Sequence, residues 1–328
     1  MNAMAAYIES FELTVSQFLS RLNFTAQSSS RILFLIALFL ISGPLVLQAQ
    51  YTDMINSNRP GNSQGAFSVG TGVIQFEAGA KYGSDEHSLA QTQSDLWGVD
   101  YALRMGFWKE QLEISFMGTY LSQEFKPLTP GSDYQNYTIN NFEQNTLGVK
   151  YLLYDPNKNK SDEGPNLYSW RANQGFDWSQ LIPAVSLYAG LNIATEDNPY
   201  LHPDEGSFTP KVAIITQNNF EGGWVFVLNL IGDKITDEFP SYIGIATLTH
   251  SFNQKFAAFA EFQTIISDIY SDEIARAGLA YLIGKNLQLD LSGLVNFKDT
   301  PSRWQVAAGV SYRLDFHKDE EALLPPEF

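Results

Sequence analysis

The sequence has no cysteine, which excludes a disulfide framework, a thiolate nucleophile and a cysteine metal site. Positive charge is scarce: 20 Lys and Arg face 36 Asp and Glu, a net charge of −16 that argues against nucleic acid as a partner. Charge of either sign is scarce too, at 17%. Nor are there the several apolar runs of about 20 residues that a polytopic helical membrane protein requires. What the chain has in quantity is aromatic, with 23 Phe, 16 Tyr and 6 Trp among 328 residues. A disordered chain would lack these rings, and a soluble core of this size does not need so many, so they point to a lipid interface.

One apolar run is present, near the start. Arg31 is followed by ten apolar residues from Ile32 to Ile41, then by Ser42-Gly43-Pro44, and the stretch ends at Leu47-Gln48-Ala49. A positive residue, a short apolar core and a small residue behind it read as a secretory signal, too short to span a membrane comfortably. The expected organisation is a signal peptide with an N-terminal extension at 1–49 and a periplasmic or plug-like segment at 50–69. A transmembrane β-barrel at 70–316 and a periplasmic tail at 317–328 follow. An N-terminal anchor helix is the alternative for the first part, and the missing cysteine excludes a lipoprotein.

From Gly70 onward, segments of about ten residues alternate apolar with small or polar, each closed by a turn. In Trp304 to Phe316 every even position is apolar, while the odd ones include Gln305, Ser311, Arg313 and Asp315. The non-apolar face is largely Gly, Ala, Ser, Asn and Gln with single charges of both signs, which suits an enclosed lumen better than the wet face of a sandwich. Aromatics such as Trp97, Phe107, Trp224, Tyr281, Trp304 and Phe316 fall toward strand ends on the apolar face, as interfacial girdles do.

Twelve strands are expected, at 72–83, 95–107, 111–124, 140–154, 182–195, 208–218, 223–233, 240–251, 255–266, 272–283, 286–297 and 303–316. The fold class is thus all-β, a closed antiparallel barrel of the bacterial outer membrane. The strand at 240–251 has no clean parity, and its facing could slip by one residue. Connections after even-numbered strands are short, as at Gly284-Lys285, and those after odd-numbered strands are longer, as at 84–94. Residues 155–181 break that rule. Tyr168, Trp170, Phe176 and Trp178 there are too many rings to leave in water, so they pack under the barrel mouth or dock on an envelope protein partner.

The run Asn56-Ser57-Asn58-Arg59-Pro60-Gly61, with Gln75-Phe76-Glu77-Ala78-Gly79 after it, resembles an outer-membrane transporter family described through the meta-pathway degradation of phenol. Pro165 to Trp170 and Leu181 to Val185 resemble a Bacteroidetes subgroup of it. The resemblance implies an outer-membrane barrel and, by name only, passage of small solutes; it assigns no functional residues.

Parity places Glu77, Lys81, Asp100, Arg104, Glu113, Lys150, Glu261, Arg276, Asp290, Arg313 and Asp315 in the lumen. They form either a charged constriction that selects solutes or a salt-bridged core that holds the barrel together, and the arginines are expected to pair with the acids across the bore. Arg59, with Pro60-Gly61 as its turn, either folds up as a small plug or lies in a solvated tail. His87, His202, His250 and His317 are scattered, no phosphate loop or paired-His metal motif occurs, and neither cofactor nor metal is expected. The readings that remain are a passive channel between outer-membrane lipids for a small-molecule solute, a non-conducting subunit of an envelope complex, and an outer-membrane barrel lipase.

Overall fold

The computed structural model describes residues 54–128, 135–157, 178–195, 197–203 and 205–316. Tyr168, Trp170, Phe176, His317 and the segments expected as signal and tail lie outside them. Twelve strands form: β1 (Val73–His87), β2 (Thr92–Gly106), β3 (Leu112–Pro127), β4 (Tyr137–Tyr154), β5 (Ala184–Ile193) and β6 (Phe208–Phe220). The chain continues through β7 (Trp224–Asp233), β8 (Ser241–Ser251), β9 (Phe256–Ile266), β10 (Asp272–Ile283), β11 (Leu287–Asn296) and β12 (Ser302–Asp315). Each strand pairs antiparallel with its sequence neighbours, and β1 pairs with β12 from Val73↔Asp315 to Glu86↔Ser302, so the sheet closes into a barrel. Closure leaves no sheet edge facing lipid, the condition for strands to cross a bilayer. No helix among the described residues is long and apolar enough to cross.

The alternation decides which side of the wall each residue takes. On β1, Gln75, Glu77 and Gly79 are buried while Phe76, Ala78 and Ala80 are exposed. Large apolar side chains cover the outside, among them Trp97, Leu230, Leu291, Val306 and Tyr312. A continuous apolar exterior of this extent has a low free energy only against lipid. Rings gather toward its two ends: Trp97 near Tyr120 and Tyr82 near Trp304 at one, Trp224 stacked on His250 at 4.2 Å at the other. On β8 the odd residues Ile245 and Thr247 are buried inside and Tyr242 and Leu248 face out, which fixes the parity that the sequence leaves open.

Strand boundaries differ from expectation at one connection. Residues 84–94 are mostly strand, because β1 runs to His87 and pairs with Thr92 and its successors. Polarity does not end a ladder, and these strands project beyond the apolar belt with their hydrogen bonds intact. β4 is asymmetric: Thr146 to Tyr154 pairs with β5, whereas Tyr137 to Phe142 pairs only with β3. Residues 197–200 cover that free edge, with Asn198 Nδ2 donating to Phe142 O at 2.6 Å and the Tyr200 hydroxyl 3.1 Å from Ile139 O and 3.2 Å from Leu121 O. Burial pushes the Tyr200 phenol up to about 12.

Candidate functional site: the lumen and its inserted segment

Both the entry to β1 and the exit from β12 lie at one end of the barrel, termed the terminal end. Ile55 N donates to Lys285 O in the β10–β11 turn there, and Phe316 N donates to Gly72 O. Between these points residues 56–69 run through the bore. They are held by inward side chains of β1 to β9, β11 and β12, which act in place of a ladder partner.

The terminal half is a packed ionic layer. Arg104 on β2 is fully buried: Nε and Nη2 each donate to Glu113 of β3 at 2.9 Å, and Nη1 donates to Glu77 of β1 at 2.9 Å and to Asn56 O at 2.7 Å. Lys150 of β4 lies 3.3 Å from Glu113 and donates to Gly65 O and Phe67 O at 2.9 and 3.0 Å. Glu113 also accepts from Val69 N at 3.0 Å. These charges are compensated twice, by each other and by the backbone of the inserted segment. That is what allows ions to stay charged away from water.

Farther round, Glu261 of β9 accepts from Asn62 N at 3.0 Å and Ser63 N at 3.2 Å, from the Thr247 hydroxyl at 2.8 Å, and pairs with Arg276 of β10. Asn229 clasps residue 64 from both sides, its Oδ1 accepting from Gln64 N at 2.7 Å and its Nδ2 donating to Gln64 O at 2.9 Å. Gln217 accepts from Ala66 N at 3.0 Å, and the Ser186 hydroxyl donates to Ala66 O at 2.6 Å.

Arg59 holds the centre of the segment. Its Nε and Nη2 donate to the two oxygens of Asp290 on β11 at 3.1 and 2.9 Å, and its carbonyl accepts from Gln288 at 3.0 Å. The guanidinium rests on Gly79 and Gly309, direct partners between β1 and β12. A β-carbon at either glycine would occupy the guanidinium's own space, so the close approach depends on both positions being glycine. The Asn58 side chain accepts from Gly65 N at 3.1 Å and closes the loop that contains Pro60-Gly61.

The expectation that arginines pair with acids across the bore is not what the structure shows. Arg104 and Arg276 pair with adjacent strands, and Arg313 pairs with Asp315 on its own strand near the rim. Asp290 is paired not by the wall but by Arg59. Salt-bridge reach is a few ångströms, so wall groups meet their strand neighbours and only an inserted chain spans the opening.

Above residues 58–64 lies a cavity of about 700 Å³. Its walls carry Lys81 paired with Asp100 at 2.9 Å, Lys211 with Asp233 at 3.0 Å and Arg303 with Asp85 at 2.8 Å. Gln75, Ser186, Gln217, Asn229 and the Lys211–Asp233 pair were missed by sequence reasoning. Their signal is amide or hydroxyl side chains at inward positions, and such residues are common on any polar face. Of the docking residues, only Trp178 is described; it is exposed, in a short 3₁₀ turn, Trp178–Leu181. His250 lies on the outer wall beside Trp224, and no group of three or more metal-ligating side chains occurs among the described residues.

Residues 57–314 match the model of the family described as Putative MetA-pathway of phenol degradation. The chain belongs to this family. The matched span begins within the inserted segment and ends in β12, so both Arg59 and its seat lie inside it. No curated protein matches in sequence. Among solved structures the family member is similar to an outer membrane channel from Pseudomonas putida F1, at 8% identity and TM-score 0.49 over 79% of this chain and 100% of that one. It is also similar to the NanC porin, at 10% identity and TM-score 0.45 over 72% and 100%, and to the transport unit of the autotransporter AIDA-I from Escherichia coli, at 10% and 0.44 over 79% and 93%.

Proposed function

We propose that the protein is an outer-membrane channel for passive passage of small solutes, with residues 56–69 as a plug on the periplasmic side of the lumen. The observation that carries this reading is that the terminal half of the bore is closed by a separable stretch of chain tied to the wall side chains, while the far half stays open as a cavity. In an eight-stranded barrel side chains alone fill the interior, whereas this wider bore is closed by a segment that can be withdrawn. In this reading residues 1–49 are a cleaved signal, the terminal end faces the periplasm, and intact mass of the membrane-purified protein starts at Gln50. The Bacteroidetes-type subgroup is part of the same proposal and rests on residues 165–170 and 181–185.

The test is single-channel recording of refolded protein in planar bilayers, comparing wild type with a variant lacking residues 56–66. The shortened protein is expected to conduct with larger, longer openings. If both stay silent while the barrel is folded, the channel reading fails. The exposed Trp178, Leu181 and Ile182 at the terminal end then favour the second reading, a barrel docked to an envelope partner through 155–181.

A further inference from the structure

The cavity above the plug has two unlike walls. Ile231 of β7, Ile243 of β8 and Ile265 of β9 are direct cross-strand partners, forming an unbroken aliphatic row on three adjacent strands. Their inward parity follows from the buried residues two positions nearer the plug, Asn229, Ile245 and Gln263. Those three are covered by neighbours and the inserted segment, whereas the three isoleucines of the row keep partial exposure and line the cavity. Leu294 of β11 also lines the cavity, separated from the row by β10, where Asp272 is the register partner of Ile265 and Arg276 that of Leu294.

Six strands round from β8, the facing wall is polar. Lys81 of β1 lies 2.9 Å from Asp100 of β2, and the Thr119 hydroxyl of β3 donates to the same carboxylate oxygen at 2.7 Å. A lumen meant only for water and freely hydrated solutes has no use for a bare isoleucine row, since water beside it gains no hydrogen bonds.

Charge narrows the ligand further. The chain carries −16, yet six carboxylates and six Lys or Arg line this cavity. The acids Asp85, Asp100, Asp233 and Glu205 each have a cation partner on the wall. A charged solute would shed its hydration to enter a wall most of whose charges already have partners, while a neutral hydroxyl or amide can add a hydrogen bond to Thr119 or Asp100 without breaking a pair.

We propose that this vestibule binds uncharged amphipathic solutes, with an aliphatic or alicyclic skeleton on the Ile231–Ile243–Ile265 row and a hydroxyl or amide head on the Lys81–Asp100–Thr119 wall. The idea rests on the channel reading for its purpose but not for its test, because binding is measured on the closed protein.

Three six-membered-ring probes of similar size separate the requirements: cyclohexylmethanol is neutral and amphipathic, cyclohexanecarboxylate is anionic, and myo-inositol is polar all round. Equilibrium dialysis against the full barrel in lipid nanodiscs, with empty nanodiscs subtracted, is expected to show saturable binding of cyclohexylmethanol and much weaker binding of the other two. Ile243→Asn, which replaces aliphatic surface in the middle of the row by an amide, should lower the affinity for cyclohexylmethanol by on the order of tenfold. Ile265→Thr provides a second, milder variant should the first not fold, as read by heat-modified gel mobility. Equal binding of inositol or of the carboxylate overturns the proposal, and so does unchanged affinity for the alcohol in the folded variants. Retained alcohol binding in a protein that never conducts supports it while removing the channel reading.

Discussion

The two halves of the bore use the same residue types to opposite ends. Near the terminal end, Arg104, Glu77, Glu113 and Lys150 are buried and share the backbone of the inserted segment. In the far half, Lys81, Asp100 and Arg276 are partly exposed and line open volume beside an isoleucine row. A charge in a barrel lumen is therefore not in itself a selectivity device. It becomes structural when dehydrated and doubly compensated, and becomes available to solutes when water still reaches it.

The largest effect should come from breaking the buried half. Arg104→Ala leaves Glu77 and Glu113 dehydrated beside an emptied site, and the expected loss is about 3–5 kcal/mol of stability, read as a lower midpoint in urea unfolding of the refolded barrel. Lys81→Ala, in the far half, should cost no more than about 1 kcal/mol in the same assay. Comparable losses for both would erase the distinction between halves.

Next in size is release of the inserted segment. Arg59→Ala removes the tie to Asp290 and is expected to raise single-channel open probability several-fold while heat-modified gel mobility stays unchanged. Gly309→Val should mimic it without touching a charge, because a side chain there takes the guanidinium's seat. Wild-type conductance in Gly309→Val would show that the seat is unimportant.

The smallest effect belongs to the far rim. Tyr200→Phe removes a hydroxyl whose single hydrogen is shared between two strand carbonyls, worth about 1 kcal/mol. Because burial raises the Tyr200 phenol to about 12, the native state holds its proton above the ordinary tyrosine value of about 10. Its contribution is complete below pH 10 and is lost as pH rises toward 12. Tyr200→Phe should therefore show a shallower fall in stability than wild type between pH 10 and 12. Parallel pH profiles would count against the burial argument.

Strand number, strand location and most inward faces were legible in the sequence, because alternation is a local property: successive side chains point to opposite faces whatever the rest of the chain does. Trp304 to Phe316 shows this, with even residues outside and odd residues inside. The same code fails where both faces are apolar. Ile231, Ile243 and Ile265 lie on strands whose outer faces also carry Leu230, Tyr242 and Ile266, so the aliphatic wall has no alternation to reveal it. Facing on β8 was ambiguous for that reason and was decided by its neighbours, since β7 and β9 hold it in register over its whole length.

Local residue pattern is enough to specify an all-β chain with twelve alternating strands, a polar inner face and an aromatic-rimmed outer one. What fills the bore and which charges meet depend on how the strands assemble. Arg59 and Asp290 are far apart in sequence, and their contact exists because β1 pairs with β12, bringing Gly79 against Gly309 under the guanidinium. Closure and register are properties of the whole sheet. Pairings that depend on them cannot be read from any one strand, because each strand's pattern is satisfied equally well by any partner of the right parity.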